Sequence, residues 1–86
     1  MDKSHDKTDF CEVIRNKDVK YLKEFGKNLR KLRLDKNITQ EALATDALIG
    51  KNQIGLIERG EINVTISTLK KIAEQIGIHP KDLLNF

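Results

Sequence analysis

What most constrains this chain is a run of apolar residues at helical spacing, broken at regular intervals by residues that start or stop helices. From Asp18, which reads as an N-cap, apolar positions recur at Val19, Leu22, Phe25, Leu29 and Leu32, predicting a helix to about Lys36. Asn37 tolerates the left-handed backbone that closes helices, and Ile38 can supply the closing apolar contact. Thr39 caps a second helix, about Gln40 to Ala47, with Leu43, Ala44 and Ala47 on one side. After Leu48 and Ile49, Gly50 can open a third helix, in which Ile54 and Ile57 form the inward stripe and Gly60 is the stop. Thr65 caps a fourth, patterned by Ile66, Leu69, Ile72, Ala73 and Ile76 and stopped by Gly77; Pro80, after His79 as a weak cap, begins a short fifth. The longest alternating run, Ile62 to Ile66, is too short for a sheet, so the fold class is all-α.

Within 86 residues there is room for one domain, read as residues 18–86 behind an N-terminal extension of residues 1–17. A core of that size gains from a partner subunit. Cys11 stands alone and His5 and His79 are the only histidines, so neither an internal disulfide nor a metal or cofactor site is expected, and a reducing, cytoplasmic setting fits. The chain has no apolar run near the ~20 residues that span a bilayer, and its start is unlike a signal peptide. An enzyme is disfavoured, because Cys11 has no neighbouring histidine, glycine-rich phosphate loops are missing, and carboxylates do not pair in a concave region.

Net charge is only +3, but it is unevenly placed. Residues 1–19 carry 4 basic and 5 acidic side chains, residues 20–36 carry 7 and 2, and residues 37–86 carry 5 and 6. The excess therefore lies on the first helix, in Lys20, Lys23, Lys27, Arg30, Lys31, Arg33 and Lys36. That face is either a solvated lysine surface or one turned toward a polyanion.

Two short helices joined by about three residues make a helix-turn-helix geometry. The run Thr39-Gln40-Glu41-Ala42-Leu43-Ala44, then Ile54, Ile57-Glu58-Arg59-Gly60 and Thr68-Leu69-Lys70-Lys71-Ile72-Ala73, resembles the Xre family, the Cro and phage-repressor type of helix-turn-helix, over about residues 21–84. The resemblance implies a five-helix, lambda-repressor-like DNA-binding domain and a transcription regulator that reads double-stranded DNA. It also implies an ion pair between Arg33 and Glu58, joining the first helix to the recognition helix. Two positions depart from the family: Leu48 stands where glycine is usual and Val64 where proline is common. A leucine at positive φ costs about 1 kcal/mol or more, so the turn is expected to differ from the usual form.

The residue chemistry fits that reading. Ala44 allows a close helix crossing. Thr39 and Gln40 sit at the free N–H end of the second helix, where Gln40 can meet a phosphate or brace a neighbouring side chain. On the third helix Gly50, Lys51, Asn52, Gly55 and Leu56 lie opposite Ile54 and Ile57 and are expected to face outward. Lys51 suits guanine, Asn52 suits the N6 and N7 of adenine, and Leu56 can cover a thymine methyl, with Gly55 permitting close backbone approach. Gln53 flanks them, Arg59 offers a free guanidinium for phosphate, and Asn63 lies in the next loop.

Near the end of the chain, Ile78, Leu83, Leu84 and Phe86 crowd apolar groups that a homodimer interface would cover, and two-fold symmetry would match a near-palindromic operator; the alternative is that Leu83 and Leu84 pack inside the monomer and Phe86 frays. In the extension, Phe10, Val13 and Ile14 share helical spacing behind Asp9 and Glu12. They suit a helix folded back on the domain or a protein partner, as in an antitoxin-type module on the same fold, the alternative being a disordered arm. Phage regulators, restriction–modification controllers and antitoxins all remain open at this point, because no motif separates them.

Overall fold

A computed structural model describes residues 18–86. The apolar set Phe10, Val13 and Ile14, read as a fold-back helix or a partner patch, lies outside the described residues. The described residues form five helices, α1 (Val19–Asp35), α2 (Gln40–Ala47), α3 (Lys51–Glu58), α4 (Ile66–Ile76) and α5 (Pro80–Leu83), and no strand.

Local chemistry sets most of the boundaries. Thr39 Oγ1 accepts from the Ala42 N–H at 3.0 Å and Thr65 Oγ1 from the Thr68 N–H at 3.2 Å, each occupying one of the first-turn donors that a helix cannot satisfy internally. His79 is a working cap for α5: its Nδ1 accepts from the Lys81 N–H while Asp82 returns a bond to the His79 N–H. Asp18 does not cap α1. Its own backbone is already helical (φ −72°, ψ −21°), so its side chain has no cap hydrogen bond.

Four of the helices end in the same way, with a residue in the left-handed region: Asn37, Leu48, Gly60 and Gly77. In each case the next N–H reaches back to a carbonyl five residues earlier, Ile38 to Arg33, Ile49 to Ala44, Glu61 to Leu56 and Ile78 to Ala73, at 2.9–3.1 Å. The turn between α2 and α3 thus departs from the expectation for Leu48, which takes φ 60°, ψ 43° like a glycine would. The closing bonds and the packing of Ile49 against the core outweigh the strain. Leu48 itself is 84% exposed and adds nothing to the core. Leu48→Gly should therefore raise the thermal midpoint by a few degrees. Relief of about 1–2 kcal/mol of left-handed strain exceeds the ~0.5–1 kcal/mol that glycine's freedom costs. A fall in midpoint would mean that the leucine makes a stabilising contact.

Leu29, Leu43, Ile54, Ile72 and Leu83, one from each helix, meet at the centre with no exposure. α2 packs on α3 and α4, α1 on α3 and α5, and α4 on α5. Asn28 on α1 donates from Nδ2 to the carbonyls of Asp82 and Leu83 at 3.0 and 2.9 Å, satisfying the C-terminal end of α5. Leu83, expected at a subunit surface, is instead fully buried in the protomer, because the last helix turns that side chain into the core. Ile78 is half-buried and packs against the core, whereas Leu84 and Phe86 are about half exposed. Ile66 leaves the inward stripe of α4: at the first helical position it is 82% exposed.

Candidate nucleic-acid interface

α3 is held by buried electrostatics and by close backbone packing. Arg33, 5% exposed, donates from Nε and Nη2 to the two carboxylate oxygens of Glu58 at 2.5 and 3.0 Å, and from Nη1 to the Ile38 carbonyl at 2.7 Å. Gln40 Nε2 adds a bond to Glu58 Oε1 at 2.9 Å. Each partner of the bidentate pair thus has a further bond, Arg33 to the Ile38 carbonyl and Glu58 from the Gln40 amide, which helps it to be buried. It ties together the end of α1, the start of α2 and the end of α3. Gln40, read as a phosphate contact or a brace, makes the brace. Its Oε1 side faces Gly55.

Close packing completes the mount. At Gly26 on α1 a Cβ would stand 2.5 Å from the Ile57 carbonyl oxygen, and nearer still to that of Glu58. At the other end Gly50 is the N-cap, and it has no side chain to cap with. Gln53 supplies the missing half: its Oε1 accepts from the Gly50 N–H at 3.3 Å, and its own N–H reaches the Gly50 carbonyl at 3.0 Å. Gln53 is thereby partly committed to the helix start.

So mounted, α3 presents a groove lined by Gln40, Lys51, Asn52, Gly55, Leu56 and Arg59. The structure brings these six expected residues together on one surface. Lys51, Asn52 and Gln53 are exposed and Leu56 is half-buried. Gly55 differs from expectation. It does not face solvent but is buried beneath the ends of Gln40 and Arg59, with Arg59 Nη1 only 3.3 Å from where a Cβ would be. The guanidinium of Arg59 is not free either, since Nε donates to Glu61 Oε2 at 2.8 Å. That hydrogen bond holds the Glu61 carboxyl below its ordinary pKa and raises that of Arg59 further. Asn63 lies apart, on the loop before α4, with its Oδ1 accepting from the Val64 N–H at 2.8 Å.

Sequence reasoning missed Gly26, Asn28 and Glu61. A glycine on the inward face of an otherwise regular helix was a usable signal for the first, because it costs helix stability and so marks a close approach. No local pattern marks the other two.

Among the described residues no cluster of His, Cys, Asp and Glu could hold a metal ion, and no helix is long and apolar enough to cross a membrane. The helix-turn-helix family profile matches residues 29–83, well over half the chain. The chain belongs to the Xre-type helix-turn-helix family. It is a DNA-binding transcription regulator. This helix-turn-helix protein is 43% identical over 63 residues to control protein C.BamHI of Bacillus amyloliquefaciens, covering 72% of this chain and 78% of that one. It is 34% identical over 62 residues to control protein C.MunI of a Mycoplasma species, covering 71% and 84%. Among solved structures it resembles the restriction-modification controller protein C.AhdI from Aeromonas hydrophila, with TM-score 0.71, 37% identity and coverage of 72% and 94%.

Proposed function

We propose that this protein is a controller-type regulator of restriction–modification genes that works in the cytoplasm as a homodimer, placing α3 of each protomer in the major groove of a near-palindromic operator. The observation that carries the reading is the groove of Gln40, Lys51, Asn52, Gly55, Leu56 and Arg59 on a helix clamped from two sides. A rigid mount matters because base readout requires side chains held in register with base edges. In this reading Lys51 and Asn52 read bases, Leu56 covers a methyl group, and Thr39, Gln40, Gly50, Gln53, Arg59 and Asn63 flank the site or contact the backbone. The controller assignment is supported by likeness to C.BamHI, C.MunI and C.AhdI.

The dimer is supported by where apolar surface remains. Tyr21, Ile66 and Leu84 line one groove between the start of α1, the loop before α4 and the end of the chain, and the Phe86 ring lies 5.1 Å from that of Tyr21. Exposed apolar groups gathered in one place mark an interaction surface. A patch meeting its own copy closes the assembly, and the same two-fold sets recognition helices about 34–36 Å apart, one DNA turn. Sedimentation at micromolar protein should show a dimer that Leu84→Glu weakens by tenfold or more, since burying one unpaired charge costs roughly several kcal/mol. A monomer with and without DNA, binding one asymmetric site, would contradict this.

A further inference from the structure

Glu61 stands just beyond the recognition helix, outside both the core and the brace, and is about half exposed. Its bond to Arg59 Nε occupies one edge of the guanidinium. Both Nη groups are left without a partner among the described residues, and Nη1 lies across Gly55 at the floor of the groove. We propose that Glu61 is a positioning residue for DNA binding: by holding Nε, it aims the Nη edge of Arg59 across Gly55 toward a phosphate of the DNA backbone. The proposal rests on α3 being the recognition helix.

Two effects of Glu61 oppose each other. A carboxylate beside DNA repels phosphate. Against that, a long arginine already held in its bound rotamer loses less freedom when it meets the phosphate. The proposal is that the second effect wins, and it wins only through Arg59. The glutamine variant separates the two, because an amide oxygen still accepts from Nε but carries no charge.

The test is titration of a duplex selected from a random-sequence pool, at several salt concentrations, with wild type, Arg59→Ala, Glu61→Ala, Glu61→Gln and the Arg59→Ala/Glu61→Ala double variant. Both side chains are exposed, and thermal melts of all variants should match. Arg59→Ala should weaken binding and lower the salt slope by about 1. Glu61→Ala should weaken binding about threefold to tenfold when Arg59 is present. It should not weaken binding when Arg59 is absent, and Glu61→Gln should bind at least as well as wild type. Glu61→Ala binding as tightly as wild type, or more tightly, would overturn the proposal. So would a loss on Arg59→Ala with the salt slope unchanged, which would make a base edge the target. Wild-type affinity in Arg59→Ala would remove Arg59 from the DNA surface while leaving α3 as the reader; failure of the wild type to select any duplex would remove that reading itself.

Discussion

Gly26→Ala should lower the thermal midpoint by roughly 10–20 °C, or prevent folding. In an exposed helix the same change would stabilise by about 1 kcal/mol. Here the added methyl meets the backbone of the last turn of α3, 2.5 Å from the Ile57 oxygen and nearer that of Glu58, and the Ile57 carbonyl cannot rotate away without breaking its bond from the Gly60 N–H. Overpacking of a core typically costs about 1–3 kcal/mol, and backbone has less room to adapt than a side chain. The mirror position supports this reading: at Gly60, with φ 74°, a Cβ would stand 2.7 Å from the Lys23 Cα, so α1 crosses the end of α3 with a glycine on each side. A midpoint equal to or above wild type, followed by circular dichroism, would mean that the helices do not approach so closely. Any folded fraction should bind DNA more weakly, because the clash tilts the helix proposed to read the bases.

The second large effect concerns the Arg33–Glu58 brace. Either single alanine variant should lose about 3–5 kcal/mol, because it leaves a buried charge uncompensated. For a domain whose whole stability is about 5–15 kcal/mol, that is a large share of the folding free energy. The double variant should lose clearly less than the sum, since no orphan charge remains. The asymmetry follows from the bonds. Among the described residues, without Arg33, Glu58 keeps only the Gln40 amide, and without Glu58, Arg33 keeps only the Ile38 carbonyl. Denaturant unfolding of all four proteins measures the coupling, and strict additivity would mean that the pair does not interact. Replacing both by apolar residues of similar volume should restore most of the stability while removing the fixed orientation of α3, separating folding from DNA binding.

The helices were legible because their signals act over four residues or fewer. Thr39 and Thr65 sit where a hydroxyl reaches the N–H three positions on, and Gly60 and Gly77 where the closing residue must be left-handed. The same logic failed at Asp18, whose backbone is already helical, and at Leu48, where closing bonds and the anchoring of Ile49 override an unfavourable residue. Periodicity also placed Gly55 on the outer face of α3. Outward direction did not mean exposure, because the long side chains of Gln40, from the start of α2, and Arg59, from the next turn, fold over it. Leu83 was misassigned for the converse reason: how a four-residue terminal helix docks is decided by distant partners such as Asn28, and its sequence carries no periodicity to show it. The Arg33–Glu58 pair came from family resemblance, since a separation of 25 positions leaves no local trace of it.

If α3 reads base edges, Asn52→Ala and wild type should differ in a base-specific way on two DNAs at one salt concentration. One is a duplex recovered by selection from random sequence, the other a scrambled duplex of equal length. Asn52 is exposed on the groove, so its loss should leave the thermal midpoint unchanged. Binding to the selected duplex should weaken by about 1–3 kcal/mol, with preference relaxed at a single base pair per half-site, and binding to the scrambled duplex should stay as in wild type. Equal loss on both duplexes, or none on either, would contradict the account.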